Sequence, residues 1–180
     1  MLYSYEECIE KYGSKYFVKK AVERGDIFQL DKGVYSDKKR VPEDVVIARK
    51  YPNGIYTLNS AFYYYDLTDV IPEKHYLATD KNAAKISDGR VVQIFEKSDI
   101  LTLGATTVTR DGCKINIYNR ERLLVELLRH KSKLPFDYYK EVLNNFRDII
   151  NDLDIRAVQD YAYEVPKSSK IMETLQLEVL

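Results

Sequence analysis

Residues 4–36 read SYEECIEKYGSKYFVKKAVERGDIFQLDKGVYS, and this stretch decides how the chain begins to fold. Ser4-Tyr5-Glu6-Glu7 has the form of a capping box, in which the Ser4 hydroxyl accepts from the amide three residues on while Glu7 reaches back. Tyr5, Cys8, Ile9 and Tyr12 recur at i, i+3, i+4 and i+7, which predicts an amphipathic helix about two turns long. Gly13 can take a positive φ and stop it. Ser14 caps a second helix over 15–24, ended by Gly25. Phe17, Val18, Ala21 and Val22 are expected on its buried face, with Tyr16, Lys19, Lys20 and Glu23 turned outward. Ile27 to Leu30 and Val34 to Ser36 flank Asp31-Lys32-Gly33, which reads as strand, turn, strand.

The order helix, turn, helix, β-hairpin is that of a winged helix-turn-helix, in which the second helix enters a major groove and the hairpin touches phosphates. The DNA-facing candidates are Ser14, Lys15 and Tyr16 at the start of the second helix, where the helix dipole favours phosphate. Lys19 and Lys20 lie on its free face, and Lys32 at the hairpin tip. Two or three lysine–phosphate contacts give weak, salt-sensitive binding. Base reading would fall to Tyr16 and Lys19. Lysines on an exposed helix face are also what an ordinary solvated surface carries, and Glu23, Asp26 and Asp31 run against a DNA contact.

Beyond residue 40 the texture changes twice. Val41-Pro42-Glu43-Asp44 opens a helix, with Pro suited to its first position, that runs to about Tyr51 before the turn Pro52-Asn53-Gly54. Leu58, Ala61, Phe62 and Tyr65 mark a short helix. From 74 to 118 the pattern is β: strands are expected at 75–79, 91–95, 100–103, 107–109 and 114–118, the last two flanking the hairpin signal Asp111-Gly112. After Asn119 four helices follow, marked by Leu123/Leu124/Leu127/Leu128, by Phe136/Tyr139/Leu143/Phe146/Ile150, by Ile155/Val158/Ala162 and by Ile171/Met172/Leu175. Strands followed by helices, rather than alternating with them, make the fold class α+β.

Composition narrows the function. The 180 residues carry 28 Lys+Arg against 28 Asp+Glu, with 16 Tyr and no Trp. The content of apolar residues, 45%, is enough to exclude intrinsic disorder. No apolar run is long enough to span a bilayer and the start has no secretory signal, so the expected compartment is the cytoplasm, with no membrane partner. Residues 1–40 hold nine basic and seven acidic side chains, 41–134 fourteen and twelve, and 135–180 five and nine, a net −4. A polyanion site is therefore expected in the first two thirds of the chain.

Catalytic chemistry finds little support. Cys8 and Cys113 form no metal or redox spacing, and no glycine-rich phosphate loop exists. His75 and His130 are far apart and read as surface residues. Asp152-Leu153-Asp154 has the spacing of a two-acid Mg²⁺ motif, as in nucleotidyltransferases, but lacks an upstream Gly-Ser turn. It reads better as a helix end and the cap of the next helix. Tyr63-Tyr64-Tyr65 would point in three directions on a helix and reads as composition. Asn119-Arg120-Glu121-Arg122 caps a helix after a strand; Arg120 and Arg122 are candidates for an anion site or for a lock of that helix onto the sheet. No catalytic residue, metal site or cofactor is assigned.

Three short motifs in order resemble the AbiEi antitoxins of type IV toxin–antitoxin, or abortive-infection, systems. Val22-Glu23-Arg24-Gly25-Asp26-Ile27 with Leu30-Asp31-Lys32-Gly33-Val34-Tyr35 resembles that family's recognition-helix end and wing. Thr57-Leu58-Asn59-Ser60-Ala61 with Asp66-Leu67-Thr68-Asp69 resembles its Leu-x-Ser-Ala and Leu-Thr segment. Gly112 and the run from Tyr118 to Glu126 resemble its strand-to-helix Glu-Arg signature. The resemblance implies a winged helix over 1–40, able to bind operator DNA and repress its own operon, and an α+β antitoxin domain over 41–180. It further implies phage defence by countering a nucleotidyltransferase-like toxin without a stable complex. Self-association is expected separately, because a net +2 over residues 1–40 is too little for one copy to hold DNA tightly without help from the larger domain. A full winged helix carries one more helix before the pair; here the helix from Pro42 is the candidate to fill in. The alternatives are a protein-interaction or regulatory module that no longer binds DNA, and a nucleotidyltransferase-like enzyme.

Overall fold

The structure, a computed structural model, describes residues 1–180. The chain divides into two compact units, Met1–Gly54 with Thr107–Asn116, and Ile55–Thr106 with Ile117–Leu180. The first unit therefore runs past residue 40 and is discontinuous in sequence.

The first unit begins with β1 (Leu2–Ser4), followed by α1 (Tyr5–Tyr12), α2 (Lys15–Arg24), β2 (Phe28–Asp31), β3 (Val34–Ser36) and α3 (Glu43–Lys50). Its helix ends follow the local chemistry. The Ser4 hydroxyl accepts from the Glu7 amide at 3.2 Å while the Glu7 carboxylate accepts from the Ser4 amide at 2.6 Å. Between α1 and α2, Gly13 turns the chain at φ 89. The three strands form an antiparallel sheet in the order β1-β3-β2, so the last strand lies in the middle. Cys8, Val18, Ala21, Ile27 and Tyr35 make the core, and α3 packs on all three strands. Arg49 on α3 pairs with Glu7, and Lys50 with Asp31 at 3.0 Å. In the 107–116 segment, Arg110 pairs with Asp44 at 2.7 Å and the Asn116 amide donates to the Pro52 carbonyl at 3.0 Å.

The second unit holds β4 (Ile55–Tyr56), α4 (Leu58–Tyr64), β5 (His75–Asp80), β6 (Val91–Glu96) and α5 (Ser98–Leu101), then β7 (Ala105–Arg110) and β8 (Cys113–Tyr118), whose outer ends belong to the first unit. Helices α6 (Arg120–Arg129), α7 (Phe136–Asp148), α8 (Ile155–Glu164) and α9 (Ser168–Glu178) follow. The sheet order is β6-β5-β4-β8-β7, with β5 parallel to β6, antiparallel to β4, and β4 parallel to β8. The class is α+β. Helix α6 is the centre: Arg122 to Leu128 are all buried, and α4, α7, α8 and α9 pack around it. A helix covered on every side has no solvent face on which to place polar residues. No helix is long and apolar enough to cross a membrane.

Four expectations need correction. Residues 100–103 do not form a strand: Ser98-Asp99 starts the short helix α5, which is capped at Thr102, and Gly104, at φ 72, turns the chain into β7. A four-residue apolar run carries no period that separates strand from helix. Phe17 is 54% exposed rather than part of the buried face of α2. It lies roughly 90° from the centre of the face set by Val18, Ala21 and Val22, at its margin. Phe136, expected in the core stripe of α7, is exposed in its first turn. Pro42 is the N-cap of α3, one residue ahead of the first helical position.

Candidate nucleic-acid interface

The interface expected from the sequence is the outer side of α2 with the β2–β3 turn. Ser14 is the N-cap of α2 and its hydroxyl accepts from the Phe17 amide at 3.4 Å, so this oxygen is engaged in holding the helix start. Lys15 is exposed and has no carboxylate partner. Tyr16 is exposed and packs edge-on against Phe17, ring centres 5.4 Å apart. Lys19, 78% exposed at its side chain, and Lys20 both reach Glu23, at 4.0 and 3.0 Å. The Lys20 hydrogen bond and charge, with Lys19 beside it, hold the Glu23 carboxyl below its usual range. Pairs this exposed are weak and screened by salt, so phosphate can compete for either lysine. Lys32 is exposed in the turn, where its amide donates to Asp31 Oδ1 at 2.6 Å. The structure thus brings Lys15, Tyr16, Lys19 and Lys20 onto one helix and sets Lys32 on the adjacent hairpin. Arg24 is turned to Asp26 at 3.1 Å.

Arg120 and Arg122 separate. Arg120 is half-buried at the first turn of α6. Arg122 lies in the core: its Nε donates to Glu126 at 2.9 Å and its Nη1 to the carbonyls of Ile100 and Leu103, each at 2.9 Å. Its guanidinium stacks on Tyr118, 4.6 Å from the ring centre. Of the two roles open to this residue, it fills the locking one, because a side chain with no exposure meets no solvent anion. Glu126 also receives Arg129 at 3.0 Å and His130 Nδ1 at 3.3 Å, and Arg129 is bridged onward to Glu96. Burial alone would raise the Glu126 carboxyl, but the His130 hydrogen bond and the two arginine charges outweigh it and hold the group below its usual value.

His130 is buried, at 8% exposure, and not a surface residue as the sequence suggested. It is the C-cap of α6. The i, i+3, i+4 spacing of Arg122, Glu126, Arg129 and His130 was the available signal for this network. His75 Nδ1 lies 3.5 Å from the Tyr56 hydroxyl. Cys8 is buried, and burial pushes its thiol up, which keeps it unreactive. Asp154 caps α8, its carboxylate accepting from the Ala157 amide at 3.1 Å, and Asp152 closes the 3₁₀ turn before it. The structure contains no grouping of three or more His, Cys, Asp or Glu able to hold a metal ion.

No family model matches this chain, and neither does any curated protein. Among solved structures it is similar to that titled "Crystal structure of RV2827C protein from Mycobacterium tuberculosis". The two share 13% identity at a TM-score of 0.64, over 98% of this chain and 71% of that one. At that identity the likeness concerns the fold.

Proposed function

We propose that this protein is a bacterial antitoxin of the AbiEi kind, acting in the cytoplasm, whose first unit is a winged helix-turn-helix that represses its own operon. The observation that carries this reading is the order β1, α1, α2, β2, β3 with a β1-β3-β2 sheet, and an α2 whose lysines stand free of the core. In that reading α2 is the recognition helix and Lys32 sits on the wing. Helix α3, packed on the three strands, supplies support that a preceding helix would otherwise give. The second unit acts against a nucleotidyltransferase-like toxin without holding it in a stable complex. A specific observation favours one other reading: Lys19 and Lys20 share Glu23, and Tyr16 with Phe17 forms an exposed aromatic pair. Such a face also suits a protein partner.

A salt-titrated gel shift on the DNA upstream of the gene decides between them. Repression predicts a sequence-specific complex that weakens steeply with salt, and again with Lys19→Ala plus Lys20→Ala, by about tenfold. If low salt yields no specific complex, the face serves a protein.

A further inference from the structure

Two cavities in the second unit share a wall. One, of 460 Å³, is lined by Phe95, Lys97, His130 and Lys133 around the end of α6 and the edge strand β6. The other, of 380 Å³, is lined by Leu134, Phe136 and Ile171 together with Lys131 and Lys170. Arg129 and Lys167 line both, so the two adjoin across these side chains and together are called the groove.

Its charge is one-sided. Glu96 is the one carboxylate in either lining, and Arg129 neutralises it. Lys131 is engaged by Glu178. Lys97, Lys133, Lys167 and Lys170 are exposed and form no salt bridge with a carboxylate. The basic face is local, since Lys167 and Lys170 lie in the stretch 135–180 whose net charge is −4.

Two further observations mark the groove as a site. Lys167 sits at φ 71, ψ 25, a left-handed conformation that lysine seldom takes, at the point where the two cavities meet. Strain of this kind gathers at functional positions. His130, buried and fixed through Nδ1 by Glu126, lines the groove with an Nε2 that has no protein partner. Aromatic rings stand in both halves: Phe95 is 48% exposed and Phe136 67%, the latter with Lys140 Nζ at 5.6 Å from its ring centre.

We propose that this groove binds a short single strand of nucleic acid, its bases stacked on Phe95 and Phe136 and its phosphates met by Lys97, Lys133, Lys167 and Lys170. Phosphate alone would need only the lysines; the exposed rings beside them are what a base supplies a partner for. A duplex hides its base faces, so the rings select an unpaired strand. The site is separate from α2 and does not depend on the reading given to it.

Fluorescence anisotropy on the full-length protein tests this with labelled ten-nucleotide oligo-uridine, oligo-thymidine and a duplex of equal length. Both single strands are expected to bind more tightly than the duplex. Tighter RNA than DNA would indicate that the 2′-hydroxyl is read, and equal affinities that the shared phosphate and base chemistry suffices; either supports the site. Lys133→Ala with Lys167→Ala should weaken binding about tenfold and lower the salt slope by about 1.4, or 0.7 for each lost contact. Phe95→Leu, which keeps the bulk and removes the stacking face, should cost about tenfold. Lys167→Gly relieves the backbone strain, so it should melt no lower than the parent and still bind less. The groove variants should weaken single-strand binding by the same factor in a Lys19→Ala plus Lys20→Ala background, which removes any contribution of the α2 face. The proposal is overturned if polyglutamate binds as well as either oligonucleotide, if Phe95→Leu has no effect, if only the α2 variants reduce binding, or if neither strand binds at low salt.

Discussion

Glu126, buried on α6, is the meeting point of Arg122, Arg129 and His130. Arg122 and Arg129 are tolerated there because this one carboxylate, with Glu96 and two backbone carbonyls, answers most of their donors, the buried Arg122 Nη2 alone being left without a partner. Taking the carboxylate away leaves charge without an answer in the core, which is costlier than never having buried the pair. Glu126→Ala is expected to lose about 3–5 kcal/mol of stability by denaturant titration. The pH dependence has a definite sign. A carboxyl held below its unfolded value of about 4.3 contributes stability that is fully present above that pH and is lost as pH falls through the lower folded value. Glu126→Gln should therefore flatten the acid limb of the stability curve; a limb as steep as the parent's would exclude Glu126 as its source. Little of this residue's role was legible in advance. The polar cluster at 119–122 was visible, but which arginine turned inward depended on α6 being covered by four other helices, a fact of tertiary packing.

The elements read best from sequence were those whose ends are closed by local chemistry. α2 runs over Lys15–Arg24 as the Ser14 cap and Gly25 stop require, since both devices act within a turn of the chain. β1 was not legible, because three residues hold no period and gain their partner only from β3, thirty residues on. The 100–103 run failed for the same reason. Gly104, which follows it, is a more demanding position than Gly25, though both are left-handed. At Gly25 a Cβ would meet nothing within 4 Å, whereas at Gly104 it would lie 2.6 Å from Arg122 Cβ and 3.0 Å from Asn119 Oδ1. Gly25→Ala should cost about 1 kcal/mol from backbone conformation alone, and Gly104→Ala about 3, the excess being the clash with the start of α6. Equal losses in parallel urea titrations would mean that α6 shifts freely to make room.

For the whole molecule, the equal totals of acid and base set how DNA would be held. The first forty residues carry a net +2, and two of the α2 lysines are shared with Glu23. One copy presents too little charge for a tight complex, since each lysine–phosphate contact adds only modestly. Occupancy of an inverted repeat should therefore be cooperative, with a single half-site bound at least tenfold more weakly in the same gel-shift conditions; a half-site as good as the repeat would mean that one copy suffices. Because the first unit takes Thr107–Asn116 from a hairpin rooted in the other unit's sheet, it is not a cassette. A gene fragment ending at codon 54 would encode Asp44 without Arg110 and the Pro52 carbonyl without its Asn116 donor. A graft that exchanges the first unit must therefore carry the hairpin tip along or lose these two contacts.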